Sequence, residues 1–295
     1  DAVLPLRSVD AAWQQMDAND HFRLEDVPVG PNHRVTLVLR KVDPFEPGAR
    51  IVSSRIAADG STVETPVAHP AGQWWTGFVE GDEGSRAMLS RSAAGVLGFV
   101  QDARGTGIIA SDRVGRHGPI ISYELNELPP DDIRWTPWPC QELDNPELAA
   151  QQRPRSTTAQ PCRQLSVAVE TDTELYGLFA GGSDPVGAEV AYLATLYAGM
   201  QAIYQADLQI LPSIGYLRVW SGGTDPWATT DAGSALGELR NYWVANMAST
   251  SRNVVQQISA RGLGGGVAWV SAACGGYAYS VCGNIDRKST RLNSS

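Results

Sequence analysis

The sequence predicts an α+β two-domain chain, a β-rich antiparallel domain followed by an α/β domain with a mainly parallel sheet. Three observations carry this prediction. Residues 34–111 hold short alternating apolar segments separated by close turn signals. Residues 162–285 change to the order strand, helix, strand, helix, strand, which right-handed crossovers turn into a parallel sheet. Between them, a stretch rich in Pro, Gln and charge carries no apolar period. The expected division is 1–120, 121–161, 162–285 and a tail at 286–295.

In the first region "RVTLVLRKV" places Val35, Leu37 and Leu39 on one face, and "RIVSSRIA", "WWTGFVEG", "RAMLSRS" and "GVLGFVQ" read as the strands that follow. The turns are "DPFEPGA", "ADGS", "EGDEGS", "SAAG" and "DARGTG". Strands this short suggest an antiparallel sandwich or barrel. The linker around Arg153 to Thr158 reads as exposed and cleavable. In the second region "QLSVAVETD" is a continuous apolar strand. Val186, Val190, Leu193, Tyr197, Met200 and Tyr204 then form one face of a long helix, with Asp184 to cap it and Pro185 in its first turn. The strand "IGYLRVW" and the loop "SGGTDPWATT" lead to a second helix with Ala232, Leu236, Leu239, Trp243 and Met247 on one side. "NVVQQISA", "GGGVAWVSA" and "YAYSVCGN" close the region as strands.

The totals narrow the function classes. A chain of 295 residues with 43% hydrophobic and 19% charged residues and nine tryptophans is a folded globular protein. A net charge of −9 argues against general nucleic-acid binding, which needs clustered cations, so no nucleic-acid partner is expected. No apolar run reaches about 18 residues, so no membrane span is expected. The chain begins at Asp1, consistent with a leader that was removed or never captured. Its four cysteines fall in two close pairs, Cys140 with Cys162 and Cys274 with Cys282, without CxxC spacing. They read as local disulfides of an exported protein or as buried thiols.

A search for chemistry finds no complete site. His21, His33, His69 and His117 all precede the second region, which excludes a histidine-based zinc site or a Ser-His-Asp triad within that region. "GLGGG" at 262–266 lacks the Lys-Ser/Thr ending of a phosphate loop and precedes a strand, so it reads as a turn into an edge strand. "GSAL" lacks the GxSxG elbow. Asp231 and Glu238 read as a solvated helix face, and Trp220, Trp227, Tyr242 and Trp243 as core and rim packing.

The order of segments from Cys162 to Ile285 resembles the catalytic domain of the reprolysin (adamalysin-like) zinc metallopeptidases, of the metzincin group. "QLSVAVETD", "AYLATLYAGMQAIYQADLQI", "LRVWSGG" and, most specifically, "GGGVAWVSAACGGYAYSVCG" carry the resemblance. "WWTGFVEGDEGSRAMLSRSAAGVLGFV" resembles the family's propeptide. The resemblance implies a zincin-like catalytic domain, incomplete here, in a secreted zinc metalloendopeptidase made as a proenzyme. It implies that Gly265, Gly266, Val267, Ala268 and Trp269 form the antiparallel edge strand of the sheet and pair with substrate peptide, and that the chain's own propeptide lies on the catalytic domain. It also implies a zinc-binding HExxHxxGxxH helix shortly after "YAYSVCGN", and that pattern is missing from the sequence. Cys140 stands where such propeptides can present an inhibitory cysteine, with a Cys140–Cys162 disulfide as the alternative. Cys274 matches a cysteine that pairs downstream in the family, so pairing with Cys282 would be a substitute.

The tail "DRKSTRLNSS" carries three of the 23 basic residues and fits nothing before it. It can be written in codons that match a widely used short-read library adapter, so residues 286–295 are expected to be translated adapter and the biological sequence to stop at Ile285. On that expectation zinc belongs to the full-length parent, and this chain holds no catalytic or metal-binding residue and is inactive. A non-catalytic secreted module that binds peptides or glycans along its edge strand is the alternative.

Overall fold

A computed structural model describes residues 2–4, 20–30, 32–92, 95–111, 120–128, 141–143 and 163–285. The expected linker cleavage site, Cys140, Cys162, His117 and the tail at 286–295 lie outside these residues. In chain order the strands are β1 (Ala2–Leu4), β2 (His21–Gly30), β3 (His33–Val42), β4 (Phe45–Ile56), β5 (Thr62–Pro66), β6 (Gly72–Val79), β7 (Asp82–Ser92) and β8 (Gly95–Asp102). They continue with β9 (Gly105–Ser111), β10 (Ile120–Glu124) and β11 (Gln141–Leu143). The remainder holds β12 (Arg163–Glu170), helix α1 (Thr173–Gly177), helix α2 (Pro185–Leu208), β13 (Ile210–Trp220), helix α3 (Ala232–Asn246), β14 (Val254–Ile258), β15 (Gly266–Trp269) and β16 (Tyr279–Cys282).

These strands make two eight-stranded sheets, ordered β1-β10-β9-β8-β7-β6-β3-β2 and β11-β15-β16-β14-β12-β13-β4-β5. The first is wholly antiparallel. The second mixes five parallel pairings with two antiparallel ones. The fold-class expectation is therefore corrected. The described chain is β-rich with three α-helices, nine of its fourteen strand pairings are antiparallel, and it is not an α+β arrangement of a propeptide domain followed by a zincin-like domain. The overturning finding is the β4–β5 hairpin. "RIVSSRIA" does form a strand, but it pairs in parallel with β13 of the second region, 166 residues away in register Trp220↔Ser54 at its far end.

Side-chain chemistry explains why the hairpin leaves its sequence neighbours. Arg218 of β13 is 1% exposed, and a buried guanidinium needs carboxylates. Glu170 of β12 supplies one at 3.4 Å, and Glu64 of β5 supplies the other at 2.6 Å. Tyr216 and Tyr242 hydroxyls accept from its Nε and Nη1, each at 2.9 Å. Farther along the same seam, Ser221 N donates to Ser54 O at 3.0 Å. Gly222 permits this approach, since a β-carbon there would lie 2.3 Å from that of Arg55.

Helix α2 joins the two sheets. Its sequence suggests one apolar face, whereas the structure buries Val190, Leu193, Ala194, Tyr197, Ala198 and Ala202 around most of its circumference. One side meets Val167, Val169, Ile214 and Leu217 of the second sheet, and the same core contains Trp74 and Met88 of the first. Adjacent residues on a strand point to opposite faces. Trp74 therefore turns to α2, where its Nε1 donates to Thr195 Oγ1 at 3.1 Å, while Trp75 fills the other face of its sheet with Leu37, Leu39 and Val100. Arg40 donates to Gln205 at 3.1 Å, and Arg86 pairs with Asp207 on the helix rim. As expected, Asp184 caps α2, accepting from Gly187 N.

Strand β2 escapes sequence reading for a physical reason. It is an edge strand carrying Pro28 and a bulge between Leu24 and Val27, with Asp26 at φ 57°, so alternation is broken where edges tolerate it.

Glu64→Ala should cost about 2–4 kcal/mol, because it leaves half of the buried guanidinium's ion pairing unmade. Urea unfolding of the full chain measures this, and hydrogen exchange should accelerate first in β4 and β5. A loss below about 0.5 kcal/mol would show that the hairpin docks independently of this pair.

Candidate peptide-binding edge

The residues that prepare β15 are glycines. Gly264 and Gly265 have φ of 76° and 142°, a region that residues with a β-carbon rarely adopt, so the chain turns sharply before extending at Gly266. "GLGGG" is thus a turn into a strand. The turn is anchored from both sides. Gly264 N donates to Asn284 Oδ1 at 2.9 Å, Gly283 N to Gly265 O at 3.0 Å, and Ala232 N at the start of α3 to Leu263 O at 3.0 Å.

Deeper support comes from Asp172, which follows β12 and is fully buried. Its Oδ1 accepts from Leu175 N at 2.8 Å, capping α1, and from Ala260 N at 3.3 Å. Its Oδ2 accepts from Ser259 Oγ and, at 3.2 Å, from Arg261 Nε. Arg261 Nη1 then donates to Thr229 O at 2.8 Å. One carboxylate therefore ties the end of β12 to the loop between β14 and β15. Beside it, Glu189 of α2 is also fully buried, and neither of its carboxylate oxygens has a hydrogen-bond partner of good geometry. Burial pushes the Glu189 carboxyl up to about 8, although the Thr171 side chain opposes it, and Asp172 nearby adds to the rise. Burial likewise raises Glu170 to about 7, although Arg218 and Trp220 oppose it.

Strand β15 pairs antiparallel with β16, in register Val267↔Val281. Val267 points into the core shared with α3, Ala268 points outward and is exposed, and Trp269 returns to the α3 side, half-buried. Trp269 stacks edge-on to Tyr277 and Tyr279 at centroid distances of 5.2 and 6.3 Å. Arg240 of α3 lies 4.2 Å over Tyr277 and donates to Gly276 O at 3.2 Å. The outer edge of β15 is occupied. Gln141, Glu142 and Leu143 of β11 run parallel to it, opposite Val267, Ala268 and Trp269. The sheet therefore ends in a three-residue piece of the chain's own linker region.

Gly265 to Trp269 thus sit together as a turn and an edge-side strand. Cys274 and Cys282 are not joined to each other; Cys274 lies exposed in the loop after β15, and Cys282 ends β16. Asp231 caps α3 through Ser234 N, and Glu238 accepts from Ala228 N and Thr229, so neither merely decorates a surface. His33 sits between Asp102 and Glu124 at 3.2 and 3.4 Å, and His69 packs edge-on against Phe45 at 4.3 Å. Sequence reading missed β11, because three residues carry no period, and missed Asp172, Arg261 and Tyr277, whose roles exist only across the fold.

The sequence matches no family model and no curated protein. Among solved structures, the chain is similar to metalloproteinase-II from Bacteroides fragilis, with 9% identity over 93% of this chain and 79% of that one, at a TM-score of 0.39. This is a distant likeness to a protein called a metalloproteinase. Among the described residues no group of three or more His, Cys, Asp and Glu side chains could hold a metal ion.

Two outcomes test the support of β15. Asp172→Ala should destabilise the chain by roughly 3–5 kcal/mol, since Arg261 would be left buried without its carboxylate, and the loss is read by urea unfolding. Glu189 is protonated in the fold and ionises near its ordinary value when unfolded. Its contribution is therefore full below about pH 4.5 and is lost as pH rises to about 8. Glu189→Gln should flatten the fall of stability with pH across that window by up to about 1.4 kcal/mol per pH unit. An unchanged slope would assign the fall to other groups.

Proposed function

We propose that β15 is a cradle for extended peptide in the precursor of a metallopeptidase, and that β11 keeps it closed in cis. The observation that carries the reading is the parallel register of Gln141–Leu143 on Val267–Trp269. An extended segment has added itself to an otherwise open sheet edge, the main-chain geometry by which a peptide ligand would bind. Ala268 leaves the outer face unobstructed, and Gly264 and Gly265 keep side chains away from the start of the strand. The metallopeptidase part of the proposal rests on the order of "QLSVAVETD", "LRVWSGG" and "GGGVAWVSAACGGYAYSVCG". Zinc and its general base would belong to the full-length parent, and the contribution of this chain would be to bind and align peptide.

A chain carrying Gln141→Pro and Glu142→Pro tests this, because adjacent prolines remove a β11 donor whichever alternate residues face β15. Amides of Val267 to Trp269 should then exchange at least about tenfold faster, and an added extended peptide should restore protection. Unchanged exchange in the double variant would show that β11 does not hold the edge.

A further inference from the structure

We propose that Trp269 is the specificity-determining residue of this edge and selects an aliphatic side chain in the peptide that replaces β11, the position filled by Leu143 in the closed chain. The inference rests on the peptide-cradle reading above and adds the class of ligand to it.

The register puts Leu143 opposite Trp269 and Glu142 opposite Ala268. Paired residues on neighbouring strands point to the same face of a sheet, and alternate residues to opposite faces. Leu143 therefore lies on the α3 side with Trp269, and the position opposite it on β15 is the half-buried indole. Leu143 is an exposed large hydrophobic residue, 37% accessible, at the rim of the sheet. An aliphatic side chain in this position has the Trp269 indole as its neighbour in the register.

The chemistry around the indole narrows the choice. Tyr277 and Tyr279 stand edge-on to Trp269 and hold its plane, so the platform is ordered before ligand arrives. The nearby cation, Arg240, is already engaged by the Tyr277 ring and the Gly276 carbonyl. A second cation brought by the peptide would meet Arg240 rather than a free aromatic face, so Lys or Arg is disfavoured at the position. Arg252, under the same cluster, is likewise bound to Tyr279 hydroxyl at 3.0 Å and lies 4.7 Å from the Trp243 ring. What remains for the peptide is apolar surface, which rewards branched aliphatic side chains in proportion to area covered.

The test uses the full chain opened by Gln141→Pro with Glu142→Pro and four acetylated, amidated peptides, Ser-Gln-Glu-Xaa-Asp-Asn-Pro with Xaa as Leu, Ala, Lys or Glu. Affinity is measured by calorimetry and docking by protection of the β15 amides. The Leu peptide should bind at least about fivefold tighter than Ala and about tenfold tighter than Lys. Adding Trp269→Ala should reduce all four to one weak affinity, and Trp269→Phe should retain a reduced preference for Leu, which keeps the test valid if the alanine variant fails to fold. Peptides that protect β15 with equal affinity would overturn this inference and leave the cradle intact. A preference for Glu would reassign the position to Arg240 and overturn it as well. Failure of every peptide to protect β15 would overturn the cradle reading and this inference together.

Discussion

Helix α2 is gripped by both sheets at once, and the remaining architecture depends on that grip. A surface helix buries one stripe; this helix buries most of its circumference because Trp74 and Met88 of the first sheet reach it from one side and Val169, Ile214 and Leu217 of the second from the other. The small residues Ala191, Ala194, Ala198 and Gly199 let both layers come close. The Trp74 to Thr195 hydrogen bond satisfies a polar atom that this packing would otherwise strand.

A second constraint acts at the β13 edge. A guanidinium buried as deeply as that of Arg218 is stable only with its carboxylates in place, and one of them belongs to a hairpin more than 150 residues earlier. This makes the second sheet a joint product of the two regions, with the earlier region contributing β4 and β5. It is the reason a layout of separate β-rich and α/β sheets does not describe the molecule.

The far edge of the same sheet is built by different means. Asp172 and Arg261 position the loop before β15, two left-handed glycines aim the strand, and β11 completes the edge. The same logic of sheet completion therefore operates at both ends: a carboxylate-locked hairpin at one, and a three-residue strand at the other. The shorter piece contributes far fewer main-chain bonds, so it is the end that can be exchanged for another extended segment.

Much of the local structure was legible in the sequence because it depends on near neighbours. Asp184 and Asp231 cap helices through amides three residues on, the alternation of Val35, Leu37 and Leu39 marks a buried strand face, and the glycines at 264 and 265 announce a turn into β15. The resemblance implied that Gly265 to Trp269 form the sheet's antiparallel edge strand; in the fold the strand is Gly266–Trp269 and β11 lies outside it. What tertiary structure alone decided are the pairings that bridge long separations: β4 on β13, β11 on β15, Asp172 on Arg261, and α2 between two layers. No sequence period encodes them, because they arise when buried charges and open strand edges find partners among whatever surfaces folding brings within reach.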